Sequence, residues 1–142
     1  MTETEMKDYL SRYRESEARI RDTLEEIQRI ESGLYPGSSA LDPSGIRSGR
    51  IADKTAEMAI RLTSAQDRLI SEKVNGFRIR CRIEDLIDRI EDPDAARLLF
   101  DRYICFLPWE QIAEGLRKNP TFIRGRKHSE ALRAAMAVYE AQ

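Results

Sequence analysis

The positions of glycine and proline divide this chain into helical stretches, and that division constrains the fold more than any other feature. Residues 4–32 contain neither residue type, whereas residues 33–49 hold four glycines, two prolines and four serines. A segment so rich in helix breakers predicts a flexible loop at about 33–50 between two helices. The chain is 35% charged with a formal net charge of -1, a composition that favours long exposed helices over a thick globular core.

Apolar residues recur at helical spacing on both sides of this loop. Before the loop the stripe consists of Leu10, Tyr13, Ile20, Leu24, Ile27 and Leu34. After the loop, residues spaced alternately four and three apart form a second stripe, which consists of Ile51, Thr55, Met58, Leu62, Ala65 and Leu69. The helical face continues with Phe77, Ile83, Leu86, Ile87 and Ile90. Residues 51–91 therefore predict one bent helix or two nearly collinear ones.

Neither apolar stripe is wide enough to stabilise a helix on its own. We therefore expect residues 1–91 to form a long antiparallel helical hairpin that resembles a coiled coil. Thr2 or Thr4 is suited to cap the first helix, since each has an acidic residue close behind it.

Proline-containing breaks divide residues 92–142 into three shorter helices. Asp92-Pro93 has the chemistry of an N-cap followed by a first helical position. Pro108 opens a short helix that extends through Leu116, and Asn119-Pro120 caps and starts the last helix, which runs towards Tyr139. The predicted fold class is thus all-α, with a separate domain over residues 92–142.

The spacing of apolar residues in the last two helices is typical of a helix-turn-helix. Ile112 and Ala113 lie on the first of these helices, Leu116 closes it, and Ile123 lies on the second. A small residue such as Ala113 lets two helices approach closely, and Ile123 would anchor the second helix against the first. In such motifs the second helix enters the major groove of DNA, so we expect a reading helix that starts at about Asn119.

Basic residues are concentrated around the start of this helix. Between residues 117 and 133 there are six lysines and arginines, and Glu130 is the only acidic residue. Arg124, Lys127 and His128 lie one helical turn apart, so we expect them to point outwards together, with arginine suited to guanine and lysine to phosphates. The predicted DNA-binding residues are Arg117, Lys118, Thr121, Arg124, Arg126, Lys127, His128 and Arg133.

Three segments of this domain carry a resemblance to a known family. The sequences LLFDRY at 98–103 and WEQIA at 109–113, with Ala131-Leu132 after them, resemble region 4 of sigma-70-type factors. Nearly the whole chain is similar to a family of small phage proteins with a sigma-70 region-4-like helix-turn-helix, grouped with ArpU/RinA-type late transcriptional regulators, although the diagnostic residues are confined to 98–132. Two features depart from the family pattern. The turn reads LRKN at 116–119 where Leu-Gly-x-Ser is usual, and the spacing from Ile123 to Leu132 is one residue longer.

The resemblance implies a sequence-specific transcriptional regulator encoded by a phage or prophage. Its ligand would be double-stranded DNA, and RNA polymerase would be a partner. The long helices leave an alternative open, a coiled-coil assembly protein or a small-terminase-like DNA-packaging subunit. A homodimer through the long helices is also expected, because symmetric DNA readers commonly bind as pairs. Whether those helices pair within one chain or between two stays open.

No set of residues indicates catalysis, a cofactor or a metal site, so we expect a protein that is not an enzyme. His128 is the only histidine, and Cys81 and Cys105 lack the spacing of metal ligands, which makes buried free thiols the expected state. The N-terminal sequence MTETEMKDYL is charged, and no stretch approaches the roughly 18 apolar residues of a membrane span. We therefore expect a cytoplasmic protein without a membrane partner, in the bacterial host cytoplasm for a phage-encoded chain.

Overall fold

The computed structural model describes the backbone of residues 1–33 and 48–142, and the side chains of residues 1–33 and 53–142. All regular secondary structure in these ranges is helical, which confirms the all-α class. The helices are α1 (Glu3–Glu31), α2 (Ser48–Asp88), α3 (Pro93–Tyr103), α4 (Trp109–Leu116), α5 (Pro120–Phe122) and α6 (His128–Glu140). A π-helical turn (Ile123–Lys127) joins α5 to α6 without a break, and residues 120–140 are called the C-terminal helix below. The predicted loop at about 33–50 lies mostly outside the described residues, and α2 already begins at Ser48.

α1 and α3 begin where their capping residues predict. The N–H of Thr2 donates to Glu5 Oε2 at 2.8 Å while the N–H of Glu5 donates to Thr2 Oγ1 at 3.1 Å, so Thr2 caps α1 in a reciprocal capping box. Asp92 accepts the N–H of Asp94 at 3.0 Å and Pro93 is the first residue of α3. Because α2 continues through residues 75–76, the region predicted as one or two helices is one helix.

The chain divides into two compact units. One consists of Met1–Ser16 and Gly76–Gln142, and the other of Glu17–Asn75. The domain boundary predicted near residue 91 falls inside the first of these units. It does so because residues from the start of α1 and the end of α2 share one core with the helices that follow.

The core of the unit formed by residues 1–16 and 76–142 draws on α1, α2, α3, α4 and the C-terminal helix. α1 contributes Met6, Leu10 and Tyr13, and α2 contributes Ile83, Leu86 and Ile87. The shorter helices complete the core with Ala95, Leu98, Leu99, Ile112, Ala113, Ile123, Ala131, Leu132 and Ala135. Contacts from α1 and α2 therefore help to fix the positions of the three shorter helices.

In the unit formed by residues 17–75, α1 and α2 run antiparallel. Ile27 and Ile30 are buried with Ala65. About one turn before Ile27 on α1, the Thr23 hydroxyl donates to a carboxylate oxygen of Glu72, which lies about two turns after Ala65 on α2, at 2.8 Å. Since residues later in α1 contact residues earlier in α2, the two segments have opposite directions.

Some residues predicted to be buried are exposed instead. Leu24 is 45% exposed and Phe77 is 68% exposed, because the buried stripes are narrower than the sequence pattern suggested. The expectation of two buried thiols is wrong as well, since Cys81 is half-buried and Cys105 is exposed in the turn that follows α3. In the described ranges, none of the helices combines the length and apolarity that a membrane span requires.

Candidate nucleic-acid interface

The turn between α4 and the C-terminal helix is closed by backbone and side-chain hydrogen bonds. Arg117 adopts the left-handed conformation (φ 56°, ψ 45°) at the end of α4, and the N–H of Lys118 donates to the carbonyl of Ala113 at 3.0 Å. The side chain of Asn119 accepts the N–H of Thr121 at 2.8 Å, with Pro120 as the first helical residue. The predicted cap and turn are thereby confirmed, and together they determine where the C-terminal helix begins.

Arg117 occupies a backbone conformation that favours glycine. We expect Arg117→Gly to raise the free energy of unfolding by about 0.5–1 kcal/mol, because glycine has no Cβ to clash in the left-handed region. Urea denaturation of the wild type and the variant checks this value. Arg117→Ala is the matched control, since it removes the same charge and keeps the Cβ, and it should not be more stable than the wild type. Equal stability of the glycine and alanine variants would contradict the account.

The apolar residues that were predicted to hold α4 against the C-terminal helix are buried. Ile112 and Ile123 are 0% exposed, and Ala113 is 1% exposed, as the prediction required. Leu132, further along the C-terminal helix, is 1% exposed. These contacts fix the rotation of the C-terminal helix about its own axis, and thereby determine which of its side chains reach solvent.

The π-helical turn determines which residues share a face of the C-terminal helix. The N–H of His128 donates to the carbonyl of Ile123, five residues earlier, so one extra residue is held in this turn. In a regular α-helix, Leu132 would lie about 180° around the axis from Ile123, whereas absorbing one residue reduces the angle to about 80°. Both side chains can therefore reach the same core.

Five of the eight predicted DNA-binding residues have exposed side chains around the turn and the start of the C-terminal helix. They are Arg117, Lys118, Thr121, Arg124 and Arg126. The side chain of Arg126 is 78% exposed and pairs with Glu130 at 3.3 Å, one helical turn away. An exposed pair of this kind contributes little energy, so the Arg126 guanidinium stays accessible to a ligand.

His128 does not point outwards, and the prediction that it would is wrong. It is only 7% exposed, its Nε2 lies 2.8 Å from the Tyr103 hydroxyl, and its ring packs edge-on against Trp109 at 4.7 Å. The π-helical turn explains this, because it brings His128 from about 140° to about 40° from the buried Ile123. Burial lowers the pKa of His128 to about 4 and raises the pKa of Tyr103 to about 12, so both groups are neutral at pH 7.

Lys127 is turned away from Arg124, contrary to the prediction that they point outwards together. Its side chain is 14% exposed, and its Nζ donates to Asp92 Oδ2 at 2.6 Å. The hydrogen bond with Asp92 raises the pKa of Lys127 and lowers the pKa of Asp92. Because Asp92 also caps α3, this ion pair ties the C-terminal helix to the start of α3.

Arg133 lies on the C-terminal helix two turns beyond the exposed cluster. Its side chain is 62% exposed, and its Nε is 3.6 Å from Glu3 Oε1. The pair is exposed to water, so it holds the guanidinium only weakly. Arg133 is therefore accessible but separate from the residues around the turn.

Sequence reasoning missed the cations that approach Arg124 from other elements. Lys7 and Arg14 of α1, together with Arg102 of α3, line the same cavity as Arg124. The Arg102 guanidinium donates to the Leu107 carbonyl at 3.1 Å, which fixes its position. Arg102 belongs to the LLFDRY segment and could have been noticed there, but the sequence carries no local signal that α1 residues would reach this surface.

Comparisons of the chain with known protein families, with curated proteins and with solved structures found no match.

Proposed function

We propose that this chain is a sequence-specific DNA-binding transcriptional regulator of the sigma-70 region-4-like kind, and that RNA polymerase is a partner. The observation that carries the proposal is the stretch from Arg117 to Lys127, which contains five basic residues and no acidic one. Four of these five basic side chains are exposed at the turn and at the start of the C-terminal helix. A local basic surface on a chain of net charge -1 is the electrostatic footprint of a phosphate backbone.

The arrangement of helices supports the same proposal. A short α4 is followed by a tight turn and a longer helix anchored by Ile123, and α3 packs behind them in the same core. In a helix-turn-helix the first helix crosses the phosphate backbone and the N-terminal residues of the second contact base edges. The π-helical turn also accounts for the one extra residue between Ile123 and Leu132, because both remain buried despite the longer spacing.

The exposed residues divide into two proposed roles. Thr121 and Arg124 lie on the first turns of the C-terminal helix, where a base-reading side chain is expected. Arg124 has no carboxylate partner within 4 Å among the residues described here, so its guanidinium can bind guanine O6 and N7 without breaking an ion pair. Arg117, Lys118 and Arg126 flank this position and suit phosphate contacts.

We expect Arg124→Ala to weaken binding to the preferred duplex about tenfold and to relax the base preference at one position, because a bidentate base contact is lost. Lys118→Ala should instead weaken binding to all sequences alike and reduce the salt slope by about one. Fluorescence anisotropy across a salt series measures both effects, after selection of bound sequences from random duplex DNA.

Arg82→Ala is the matched control for these variants, since Arg82 is an exposed cation of α2 in the same compact unit. It should bind DNA like the wild type. Wild-type affinity and base preference in Arg124→Ala would contradict the proposed reading helix. Absence of any DNA affinity at low salt in the wild type would contradict the function itself.

We also propose a second candidate, a coiled-coil assembly or small-terminase-like packaging subunit that forms a homodimer or larger ring through its long helices. It is favoured by apolar side chains of α2 that no described residue covers, since Ile60 is 69% exposed, Ile70 62% and Val74 47%. Multi-angle light scattering of the full chain distinguishes the candidates. A ring-sized mass with no detectable DNA selection would favour this second function over the first.

A further inference from the structure

A cavity of about 390 Å³ lies beside Arg124, in the unit formed by residues 1–16 and 76–142. Its walls come from α1, α3, the turn after α3, α4 and the C-terminal helix. The volume falls in the range of small-molecule sites and exceeds what a single inorganic anion would fill. The side chains around it therefore indicate the chemistry of a larger ligand.

The charged residues of the cavity wall are all cationic. They are Lys7, Arg14, Arg102 and Arg124. Within the described part of the chain, no carboxylate lies within 4 Å of the charged group of Lys7, Arg14 or Arg124, and no acidic side chain lines the cavity. A wall of four positive charges without an acidic neighbour favours an anionic ligand group, and a phosphate is such a group, with about two negative charges as a monoester and one as a diester.

Two of these cations lie over aromatic rings. The guanidinium carbon of Arg102 is 4.3 Å from the centre of the Trp109 ring, and that of Arg14 is 5.4 Å from the centre of the Phe106 ring. Phe106 is itself held by stacking on Tyr13, with centroids 5.6 Å apart. A guanidinium over a ring face can still donate N–H groups to an anion, because the ring contacts its face and not its N–H edge.

Apart from Ser11, the rest of the cavity wall is aromatic. Tyr103 and Trp109 line it together with the buried His128, whose ring stacks with Tyr103 at 5.9 Å. Flat nucleobases bind by stacking on aromatic rings and on arginine guanidinium planes. Guanidinium groups that lie over aromatic rings, next to further cations, thus suit a ligand that combines a flat base with a phosphate.

We propose that this cavity binds a nucleotide, with the phosphate held by Lys7, Arg14 and Arg124 and the base lying against the ring and guanidinium layers formed with Arg102. The site goes beyond DNA reading by the C-terminal helix, because residues of α1 contribute two of the phosphate contacts. It does not require the chain to bind duplex DNA. The nucleotide can be free or can be part of a single strand, since both place a base beside a phosphate, as a monoester in the free nucleotide and as a diester in the strand.

The test uses the full chain and measures nucleotide affinity in the absence of duplex DNA. Each of the four nucleoside 5′-monophosphates is titrated by calorimetry, with the matching nucleoside and inorganic phosphate as separate titrants. Trp109 is the only tryptophan and lies in the wall, so its fluorescence gives an independent signal. We expect at least one monophosphate to bind about tenfold or more tightly than its nucleoside and than phosphate. Failure of all four to bind, or an affinity equal to that of phosphate alone, would overturn the proposal.

Variants locate the binding in the cavity. Lys7→Gln combined with Arg14→Gln should weaken nucleotide binding about tenfold or more, because two exposed charge contacts are lost without a change in the core. Arg82→Gln, an exposed cation of α2 away from the cavity wall, should bind like the wild type. Circular dichroism checks that each variant is folded. Equal loss in the double variant and in Arg82→Gln would assign the binding to general charge attraction and overturn the site.

A short single-stranded oligonucleotide identifies the source of the nucleotide. If it displaces the monophosphate and loses affinity in the Lys7→Gln/Arg14→Gln variant, the cavity takes a nucleotide of a strand. If it does not compete, the ligand is a free nucleotide. Because Arg124 is unchanged in all these variants, loss of duplex binding and loss of nucleotide binding are measured separately. A failure of the proposed regulator function therefore leaves this test intact.

Discussion

Ile123→Ala is expected to lower the free energy of unfolding by about 2–5 kcal/mol, the usual range for removing a large aliphatic side chain from a packed core. Ile123 is 0% exposed and lies in the π-helical turn, where it packs in one core with Ile112 and Leu132. Truncation removes buried apolar surface and leaves a cavity that the neighbouring backbone can fill only in part.

Phe122→Ala is the matched control because it changes the adjacent residue, which is 37% exposed. It should cost much less than Ile123→Ala, even though more atoms are removed. Urea denaturation followed by Trp109 fluorescence measures both variants, since Trp109 lies in the same compact unit. If the two substitutions cost the same, the rotation of the C-terminal helix about its axis would differ from the one described, and the assignment of exposed basic residues would fail with it.

The ends of the helices were predictable because the signals that set them are local. Asp92-Pro93 and Asn119-Pro120 each place a capping oxygen and a fixed φ within two residues of the helix start. The buried anchors Ile112 and Ile123 were predictable for a similar reason, since their spacing follows from helical periodicity. Local chemistry is enough for features of this kind.

The π-helical turn was not predictable from the pattern, and it changed the site. The sequence showed one extra residue between Ile123 and Leu132. It did not show whether a π-helical turn would accommodate this residue or whether the helix would rotate and expose one of the two anchors. Absorption keeps both anchors buried and moves His128 inwards. A predicted face that counted residues at regular α-helical spacing therefore placed His128 on the wrong side.

The remaining differences depend on residues far away in the chain. Lys127 is turned aside by an ion pair with Asp92, 35 positions earlier, and His128 is held by Tyr103, 25 positions earlier. Lys7 and Arg14 reach the cavity beside Arg124 because the start of α1 packs in the same core. Composition and periodicity carry no information on such contacts. The basic character of the surface was therefore predictable, but the identity of the residues that form it was not.

Because His128 is buried, we expect the free energy of unfolding to fall in weak acid, and this is the second large effect. Burial, followed by the nearby charges of Lys7 and Arg102, lowers its pKa from 6.5 to about 4, and Glu3 opposes this shift. The unfolded chain binds a proton at this histidine as the pH falls through 6.5, whereas the folded chain does so only near pH 4. The stabilisation is therefore complete above pH 6.5 and is lost as the pH falls from 6.5 to 4.

Between pH 7 and pH 4, protonation of His128 is expected to lower the free energy of unfolding by about 2–3 kcal/mol. This value follows from the shift in the pKa of His128, with an allowance for partial solvent screening. Urea denaturation at half-unit steps of pH measures it. His128→Gln removes the titrating group and should flatten the dependence between pH 6.5 and 4, whatever its stability at pH 7. The lowered pKa of Asp92 causes a loss of stability mainly below its usual value of 3.8, so it overlaps only the lower end of this window, and it is retained in His128→Gln. A wild-type stability that stays constant from pH 7 to pH 4.5, or an unchanged slope in His128→Gln, would show that His128 is not buried in its neutral form.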